Sequence, residues 1–598
     1  NNFGHIFGGN GDAVSGNTDG GWGIEYEGSE DAAENIHINN FGWIQGGNSG
    51  GELAEGGIGV AIDGNNTRLD NWGVISGGTG SPVGAAFATP ALPPPDIEHG
   101  DSILVSGSGN VINLNGHSWV IGKITVEGPT NSNTVNLNFT GLTPLQIANL
   151  NSQLSSQGVG SGSDTSVTFT VRGVTYDIDP AVIHFNMSSY QLQGVTPNQS
   201  AIGAALDSAQ TNPNPGTPLA FLFNAIDQAP NQARAIEELS PQPYQIYGDI
   251  ALANANFTTL EIDQRLYNLR DGSEGVDTAG LNGGETSGLT SMLTNGLSKN
   301  DDKGKGVITP MTEENRWGFF AAGNGIFSSV DAHGGDLQDA NFTSSGILLG
   351  LDGKIHEHWI VGTFFNYEHT WADLDSQGSS ADINSYSGGI YAGYHNGGYY
   401  GNGLFSYTRN DYSSQRNIRI AGFPGFNESA GGSTSGNQFE GDLDGGYDFN
   451  LTDRVSVGPI AGLQYVHLDV DGFSESGAPG AGLAVGSQSL DSLRSRLGFH
   501  ANYHMKVNQR MSFAADLHAQ WQHEFLDDSR GISAAFEGDG LAPFAVQTTS
   551  PERDAALLGL GANLTVRDRY TFFLDYDVQA GQQDYLEQSV KGGFKYSW

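Results

Sequence analysis

Cysteine is absent from the 598 residues, which excludes disulfides and thiolate metal sites. Such a chain either has no use for cross-links or avoids them while it crosses an oxidising compartment unfolded. Positive charge is scarce: 25 Lys and Arg stand against 66 Asp and Glu, for a net charge of −41. That field repels phosphate backbones and argues against a nucleic-acid partner. No run approaches the ~18 consecutive apolar residues of a membrane-spanning helix. A transmembrane β-barrel is not excluded, because its strands carry only an alternating signal. The first residues, NNFGHIFGGN, lack a basic n-region and an apolar h-region and begin inside a repeat. The expectation is a mature or N-terminally trimmed chain with sequence missing before it. Glycine, by contrast, is abundant at 88 residues.

Part of that glycine is periodic. NFGHIFGG (2–9), NFGWIQGG (40–47) and NWGVISGG (71–78) share the form N-aromatic-G-x-I-x-GG at spacings of 38 and 31 residues. GWGIEYEG (21–28) and GIGVAIDG (57–64) lie between them. Each unit joins a short alternating strand to Gly or Asn, which tolerate the backbone of a corner. Repeats of this length predict a parallel β-helix solenoid. The repeated Ile and aromatic positions argue against an unstructured Gly-rich segment. SPVGAAFATPALPPPD (81–96) interrupts the pattern as a loop or excursion. Alternating strands then resume, and SVTFTVRGVTYDID either continues the solenoid or caps it.

From Thr196 the period changes. TPNQSAIGAALDSAQ and PLAFLFNAIDQA read as helices, and 240–272 is the longest helical stretch, with Ser240 as cap, Pro241 at its first position and Gly272 at its end. Residues 273–314 are Gly/Ser/Asn-rich and read as a flexible linker, with TSGLTSMLTNGL as a candidate short helix.

Beyond Arg316 come long aromatic strands. In RMSFAADLHAQWQHEF (510–525), Met511, Phe513, Ala515, Leu517, Ala519, Trp521 and Phe525 share one face, broken only by His523. Polar residues fill the other face, as period 2 requires of a strand between an apolar and a wet environment. The count is twelve: 316–330, 341–354, 357–371, 382–396, 398–410, 436–451, 454–470, 488–504, 509–525, 552–566, 569–580 and 584–598. Connections after even-numbered strands are tight (IHE, NGG, LTDR, KVNQ, RDR). Those after strands one, three, five, seven and nine are long and polar. An even strand number with segregated loop lengths is the pattern of an outer-membrane barrel, short turns toward the periplasm. The terminal VKGGFKYSW is then the closing strand, with Phe594, Tyr596 and Trp598 toward lipid.

A Gly/Asn repeat solenoid, a helical segment and a twelve-stranded barrel with an aromatic terminus resemble a monomeric autotransporter (type V secretion). The resemblance covers essentially the whole chain. Its most specific parts are ELSPQPY at 238–244, RWGFFAAGNG at 316–325 and the terminal FKYSW. It implies all-β architecture with a short α-helical joint: a solenoid passenger (1–198), a helical linker and pore-helix region (199–272), a flexible linker (273–314) and a transmembrane barrel (315–598). It also implies a Gram-negative outer-membrane location and a passenger displayed outside, with a helix before the first strand threading the pore. The barrel-assembly machinery and periplasmic chaperones would be partners, with Phe594, Tyr596 and Trp598 resembling the assembly signal. The linker between helix and first strand is longer than the family pattern, so which helix fills the pore stays open.

Candidate chemistry is thin. GDSI, within HGDSILVSG (99–107), is close to the GDSL block of a lipase family, with Ser102 as nucleophile. That family's downstream Asp-x-x-His is missing, and Asp96 and His99 lie upstream. His356 and His358 at a turn would need further ligands to hold a metal. Arg494 and Arg496 alternate with Leu493, Leu497 and Phe499 and should face the lumen, where charge is paired or wet. Glu440, Asp442, Asp444, Asp516 and Glu524 are candidate partners, either to position a pore helix or as ordinary lumen packing. The expectation is a non-enzymatic, cofactor-free and metal-free monomer in outer-membrane lipid that exports its own passenger for adhesion to an unidentified surface ligand. A passenger hydrolase and a porin-like channel with an appended domain are the alternatives.

Overall fold

The computed structural model describes residues 1–10, 19–28, 36–49, 56–79, 100–127, 132–160, 162–209, 217–270, 317–330, 340–356, 358–374, 378–422, 426–508, 510–526, 530–537, 541–548, 552–567, 569–582 and 585–597. The excursion at 81–96, the linker at 273–314 and Trp598 lie outside them.

The repeats become turns of a parallel β-helix. His5–Phe7, Trp43–Gln45, Val74–Ser76 and Trp119–Ile121 stack in parallel, with Ile6, Ile44, Ile75 and Val120 in register. One further parallel ladder runs through Ile24–Glu27, Val60–Asp63, Ile103–Ser106 and Lys123–Glu127. Another runs through His37–Asn40, Arg68–Asn71, Val111–Gly116 and Thr134–Phe139. Each part of the repeat has its own reason. The Asn residues form a ladder at the bend, Asn2 Nδ2 donating to Asn40 Oδ1 at 2.9 Å and Asn40 Nδ2 to Asn71 Oδ1 at 2.8 Å. The aromatic residues stack one turn above the next, Phe3 on Phe41 and Phe41 on Trp72, each at 4.8 Å between ring centroids. The Gly pairs let neighbouring turns touch: a Cβ on Gly78 would lie 1.9 Å from the Gly47 carbonyl oxygen.

The solenoid ends in a cap. Val174–Met187 runs along both long ladders, while Ser163–Val171 pairs with it antiparallel and so stops the parallel stacking. The helix Pro144–Ser156, which the sequence reading passed over, buries Leu150 and Leu154 over the last turn. Its Thr143–Gln146 capping box is explicit in the sequence.

The joint contains the two expected helices, Pro197–Asp207 and Pro218–Gln228, and two short ones, Tyr190–Gln193 and Gln232–Glu237. At 240–272 the structure modifies the expectation. Ser240 Oγ accepts from Gln242 N at 3.2 Å, but a 3-10 turn (Gln242–Gln245) precedes the α-helix Ile246–Arg270.

The barrel strands are Trp317–Val330, Ala340–His356, Trp359–Asp373, Ser380–Asn396, Tyr399–Arg419, Asn427–Tyr447, Val455–Val470, Gln488–Asn508, Met511–Glu524, Asp554–Val566, Tyr570–Gln582 and Tyr585–Ser597. A short stretch, Phe449–Thr452, prolongs the sixth past a break. All pair antiparallel with their chain neighbours, and the last pairs with the first, Tyr596 opposite Phe319, so the sheet closes. Closure removes the edges that lipid would not tolerate. Along Tyr570–Gln582 the alternation is explicit: Phe572 and Leu574 are more than half exposed, whereas Thr571 and Asp575 are buried in the lumen. The fifth and sixth strands run well past the predicted 410 and start before 436, pairing with each other out to Arg419 and Asn427. Phe473–Ser474, Leu483–Val485, Gly531–Phe536 and Phe544–Gln547 form a small sheet within two of the long loops.

Candidate functional site

The longest helix, Ile246–Arg270, lies inside the barrel, touching its fourth, fifth, sixth and seventh strands. Polar and apolar residues are mixed around it with no one-sided stripe. Ile262, Leu266 and Leu269 pack on apolar wall residues such as Phe320 and Phe364, while its polar side chains meet the polar ones of the lumen. Its N-terminal end meets Arg530 of an extracellular loop, whose Nη1 is 3.3 Å from Asp249 Oδ1. Its C-terminal end reaches the short-turn side, where Arg270 Nε donates to Asp448 Oδ2 at 2.8 Å and the guanidinium covers the Tyr400 ring at 3.6 Å. A positive side chain at a helix C-terminus also suits the helix dipole.

Between these ends the helix is tied to strands around the circumference. Thr259 Oγ1 donates to Glu440 Oε1 at 2.5 Å, and Gln464 Nε2 donates to both groups. Arg265 holds Asp352 with Nη2 and Nε, each 2.6 Å from Oδ2. Lys591 bridges Glu261 of the helix (3.3 Å) and Asp575 of the wall (3.1 Å). Asn256 Nδ2 donates to Gln579 Oε1 at 3.0 Å.

The residues singled out in the sequence divide between two roles. Arg496 Nη1 reaches Asp263 of the helix at 3.0 Å and Nη2 reaches Asp442 at 2.6 Å. Glu440 joins the Thr259 contact, and Asp444 accepts from Asn402 Nδ2 at 3.1 Å. Asp516 lines a small cavity beside the helix. Arg494 and Glu524 pair with each other instead, at 2.9 Å across neighbouring strands, and the Glu524 carboxylate also accepts from Ser492, Leu493 N and Leu526 N. Phe594 and Tyr596 face outward on the closing strand, Tyr596 packing on Tyr570 at 5.4 Å. The helix's own Glu261, Asp263, Arg265 and Arg270 were not singled out from the sequence. The signal was there, in charges at helical positions that no single exposed face gathers.

The lumen is closed on its extracellular side. The joint packs against the long-loop sheet, with Asn198 and Gln547 exchanging two bonds of 2.8 Å. At its centre Arg416 holds Glu475 bidentately, Nε to Oε1 at 2.8 Å and Nη2 to Oε2 at 2.6 Å. Tyr244 of the ELSPQPY stretch donates to the same carboxylate. All three side chains are buried.

A further buried polar group joins solenoid to joint. Asp227 accepts from Thr140 Oγ1 at 2.5 Å and Tyr190 Oη at 2.7 Å, while Arg172 bonds the Thr140 carbonyl. His117 stacks on Phe223 at 3.9 Å between ring centroids, with Asp227 Oδ2 3.9 Å from its Nδ1. Burial first, and then the Arg172 charge, push its pKa down to about 4. At neutral pH the ring is therefore uncharged, and the approach to Asp227 is not an ion pair.

Ser102 sits wholly buried at a bend just before the solenoid strand Ile103–Ser106 and donates to the Lys123 carbonyl at 2.8 Å, which does not fit a nucleophile. Asp96 and His99 lie outside the described residues, as does the His356 side chain. His358 packs edge-on to Tyr394 at 5.9 Å.

Residues 319–577 match the family model described as Autotransporter beta-domain. The chain is 23% identical over 402 residues to outer membrane protein A of Rickettsia rickettsii, which covers 63% of this chain and 17% of that protein. It is 24% identical over 261 residues to outer membrane protein B of Rickettsia conorii, 42% of this chain and 16% of that protein. Among solved structures, the translocator domain of the autotransporter NalP from Neisseria meningitidis aligns over 52% of this chain and 93% of its own, at 17% identity and a TM-score of 0.37.

Proposed function

We propose that this chain, whose residues 319–577 match the Autotransporter beta-domain model, exports and anchors its own surface-exposed passenger at the outer membrane, and that the passenger serves adhesion through one face of its solenoid. The supporting observation is how charge and amides are distributed on the stacked strands. Asn39, Asp70, Asn113, Asn136 and His184 follow one another across five strands, and Asn115, Asn138 and Asn186 form a second row. Neighbouring amides are linked, Asn136 Nδ2 to Asn113 Oδ1 at 2.6 Å and Asn138 Nδ2 to Asn115 Oδ1 at 3.0 Å. Asp70 and Asn113 are themselves buried, so the capacity for a partner lies with the half-buried Asn115, Asn136 and Asn138. An amide has two donor hydrogens and two acceptor lone pairs, and one link does not use them all. Asp70, the one carboxylate in these rows, is paired with Arg68 at 2.8 Å. The rows through Glu27, Asp63 and Glu127 on the other long ladder are acidic instead. A nearly neutral, hydrogen-bonding face on a chain of net charge −41 is where a surface ligand meets least repulsion.

Translocation and adhesion require no catalytic residue. The passenger passes the outer membrane unfolded and stacks outside, each new turn burying a face against the last. The barrel-assembly machinery reads Phe594, Tyr596 and Trp598, periplasmic chaperones hold the chain beforehand, and the product works as a monomer.

The test uses cells displaying the full chain behind a signal peptide. Changing Asn115, Asn136 and Asn138 together to Asp should abolish adhesion while surface protease still releases the passenger. Changing Glu27 and Asp63 to Gln and Asn should leave adhesion intact. Undiminished adhesion of the first variant would refute the assignment. Deleting residues 240–314 tests the channel alternative, because a porin-like protein would conduct without that deletion.

A further inference from the structure

One group in the lumen carries more negative charge than its neighbours neutralise. Asp263 of the pore helix and Asp442 and Asp444 of the sixth strand each direct a carboxylate oxygen to one spot, the three atoms lying within 4.8 Å of one another. The carboxylates of Asp263 and Asp444 approach within hydrogen-bonding reach, and neither has a proton to donate when ionised. Arg496 supplies one positive charge, binding Asp263 and Asp442 from one side. If all three carboxylates are ionised, one guanidinium against them leaves two negative charges. Other nearby cations are held elsewhere, Arg270 on Asp448 and Lys591 on Glu261 and Asp575.

Asp442 is 2% exposed, yet its Oδ1 has no hydrogen-bond partner among the described residues, and neither does Asp444 Oδ2. A second, separate feature points the same way. A cavity of about 40 Å³ lies against Asp263 and Asp444, room for roughly one water. Gln520, only 9% exposed, lines the same cavity from the ninth strand, and its Oε1 also lacks a partner. An uncompensated buried carboxylate oxygen is costly, and so is an unbonded amide oxygen. Both are the natural ligands of a hard cation, and oxygens predominate here, although the His500 and His518 rings line the same cavity.

We propose that Asp263, Asp442 and Asp444 bind a divalent cation of the calcium class, with Gln520 and cavity water completing its shell. Calcium takes six to eight oxygens at about 2.3–2.6 Å in a loosely constrained geometry, which separations of up to 4.8 Å between donor atoms allow. Its two charges cancel the local surplus. Magnesium, which demands a near-ideal octahedron and keeps its water, fits the group less well. One protein ligand comes from the helix and three from the wall, so the site exists only when the helix is seated. Cation binding therefore clamps the pore helix once the passenger has left, and the seal tightens where calcium is present.

The experiment uses the full chain refolded in detergent free of lipopolysaccharide, stripped with EDTA and titrated with CaCl2. Bound metal is counted after gel filtration, and the temperature at which the barrel loses its compact gel mobility is recorded. The wild type should hold one more calcium than Asp442→Asn/Asp444→Asn, and EDTA should lower its transition by several degrees without affecting the variant. Terbium in place of calcium should luminesce on tyrosine excitation in the wild type, since Tyr267 and Tyr400 line the cavity. Equal metal content in the two proteins would overturn the proposal. So would a wild type indifferent to EDTA whose transition rises on mild acidification, since a shared proton would then neutralise the group. If the double variant does not refold, the wild type alone decides. A calcium-induced rise in its transition with terbium luminescence supports the site, and the lack of either rejects it.

Discussion

Arg496 on the eighth barrel strand and Asp263 on the pore helix meet at 3.0 Å in a lumen where Arg496 is almost wholly buried. The contact joins two segments more than two hundred residues apart in sequence, so it forms only when helix and barrel assemble. Removing one member of a buried ion pair leaves the other charged and unsolvated, at about 3–5 kcal/mol. Arg496→Ala should lower barrel stability by that amount and raise single-channel conductance by loosening the helix. Planar-bilayer recording and heat-modified gel mobility check both effects. An unchanged conductance would mean that the helix is held without this contact.

The extracellular cap depends on a second buried pair. Glu475→Gln strips the partner from Arg416, whose guanidinium also bonds the Ala481 carbonyl at 2.9 Å. A loss of about 3–5 kcal/mol is expected. Tyr244→Phe removes only a hydroxyl donor and should cost about 1–3 kcal/mol. Protease added to intact cells should cut the Glu475→Gln cap at loop residues near 475–483 and spare the Tyr244→Phe one.

The membrane face is tested at Leu574, 58% exposed on the eleventh strand. Leu574→Arg should destabilise the barrel by about 2–4 kcal/mol if the residue lies near the bilayer midplane. Arg at Asp554, at the extracellular end of the neighbouring strand, should cost far less. Urea unfolding in lipid vesicles compares the two, and equal costs would mean that the apolar belt is not where the alternation places it.

Gly78→Ala tests the solenoid separately. With 1.9 Å between the added Cβ and the Gly47 carbonyl oxygen, adjacent turns must separate, at a cost of at least about 1–3 kcal/mol. The passenger should become protease-sensitive at the surface while the barrel keeps its gel mobility.

These outcomes follow the division between what was readable in the chain and what was not. Barrel strands were legible because lipid outside and polar lumen inside impose a strict period of 2 over a dozen residues, as from Met511 to Glu524. Repeat turns were legible because each Asn, aromatic and Gly in NFGWIQGG meets its own copy one turn away. The sheet formed by Phe473–Ser474 and Leu483–Val485 was not, since two or three residues are too few for a period to show. The inward direction of Arg494 and Arg496 followed from parity, but parity cannot choose partners. Arg494 binds a neighbouring strand, whereas Arg496 also binds a helix that only the tertiary fold brings close. Asp263 escaped notice because one acidic residue in a helix is ordinary until its surroundings are known.

The junction between passenger and joint should respond to acid through His117. Its ring is uncharged in the fold, with a pKa pushed down from 6.5 to about 4 by burial and the nearby Arg172. In the unfolded chain it titrates near the ordinary value. Above that value both states hold a neutral ring and there is no linkage. Between the two, the unfolded chain takes up a proton that the folded junction refuses, so stability falls as the pH drops from 6.5 to about 4, by up to roughly 3 kcal/mol. Asp227, Arg172 and Tyr190 are the charged or titratable neighbours, and Arg172 opposes protonation whereas Asp227 favours it. His117→Phe keeps the stacking on Phe223 and removes the titrating group. It should flatten this acid-dependent loss while leaving the slope below pH 4 to carboxylates such as Asp70, whose pairing with Arg68 and His37 lowers its pKa. Hydrogen exchange at 189–228 on the full chain between pH 7 and 4.5 reads the effect. Equal acid sensitivity in His117→Phe would assign the loss to another group.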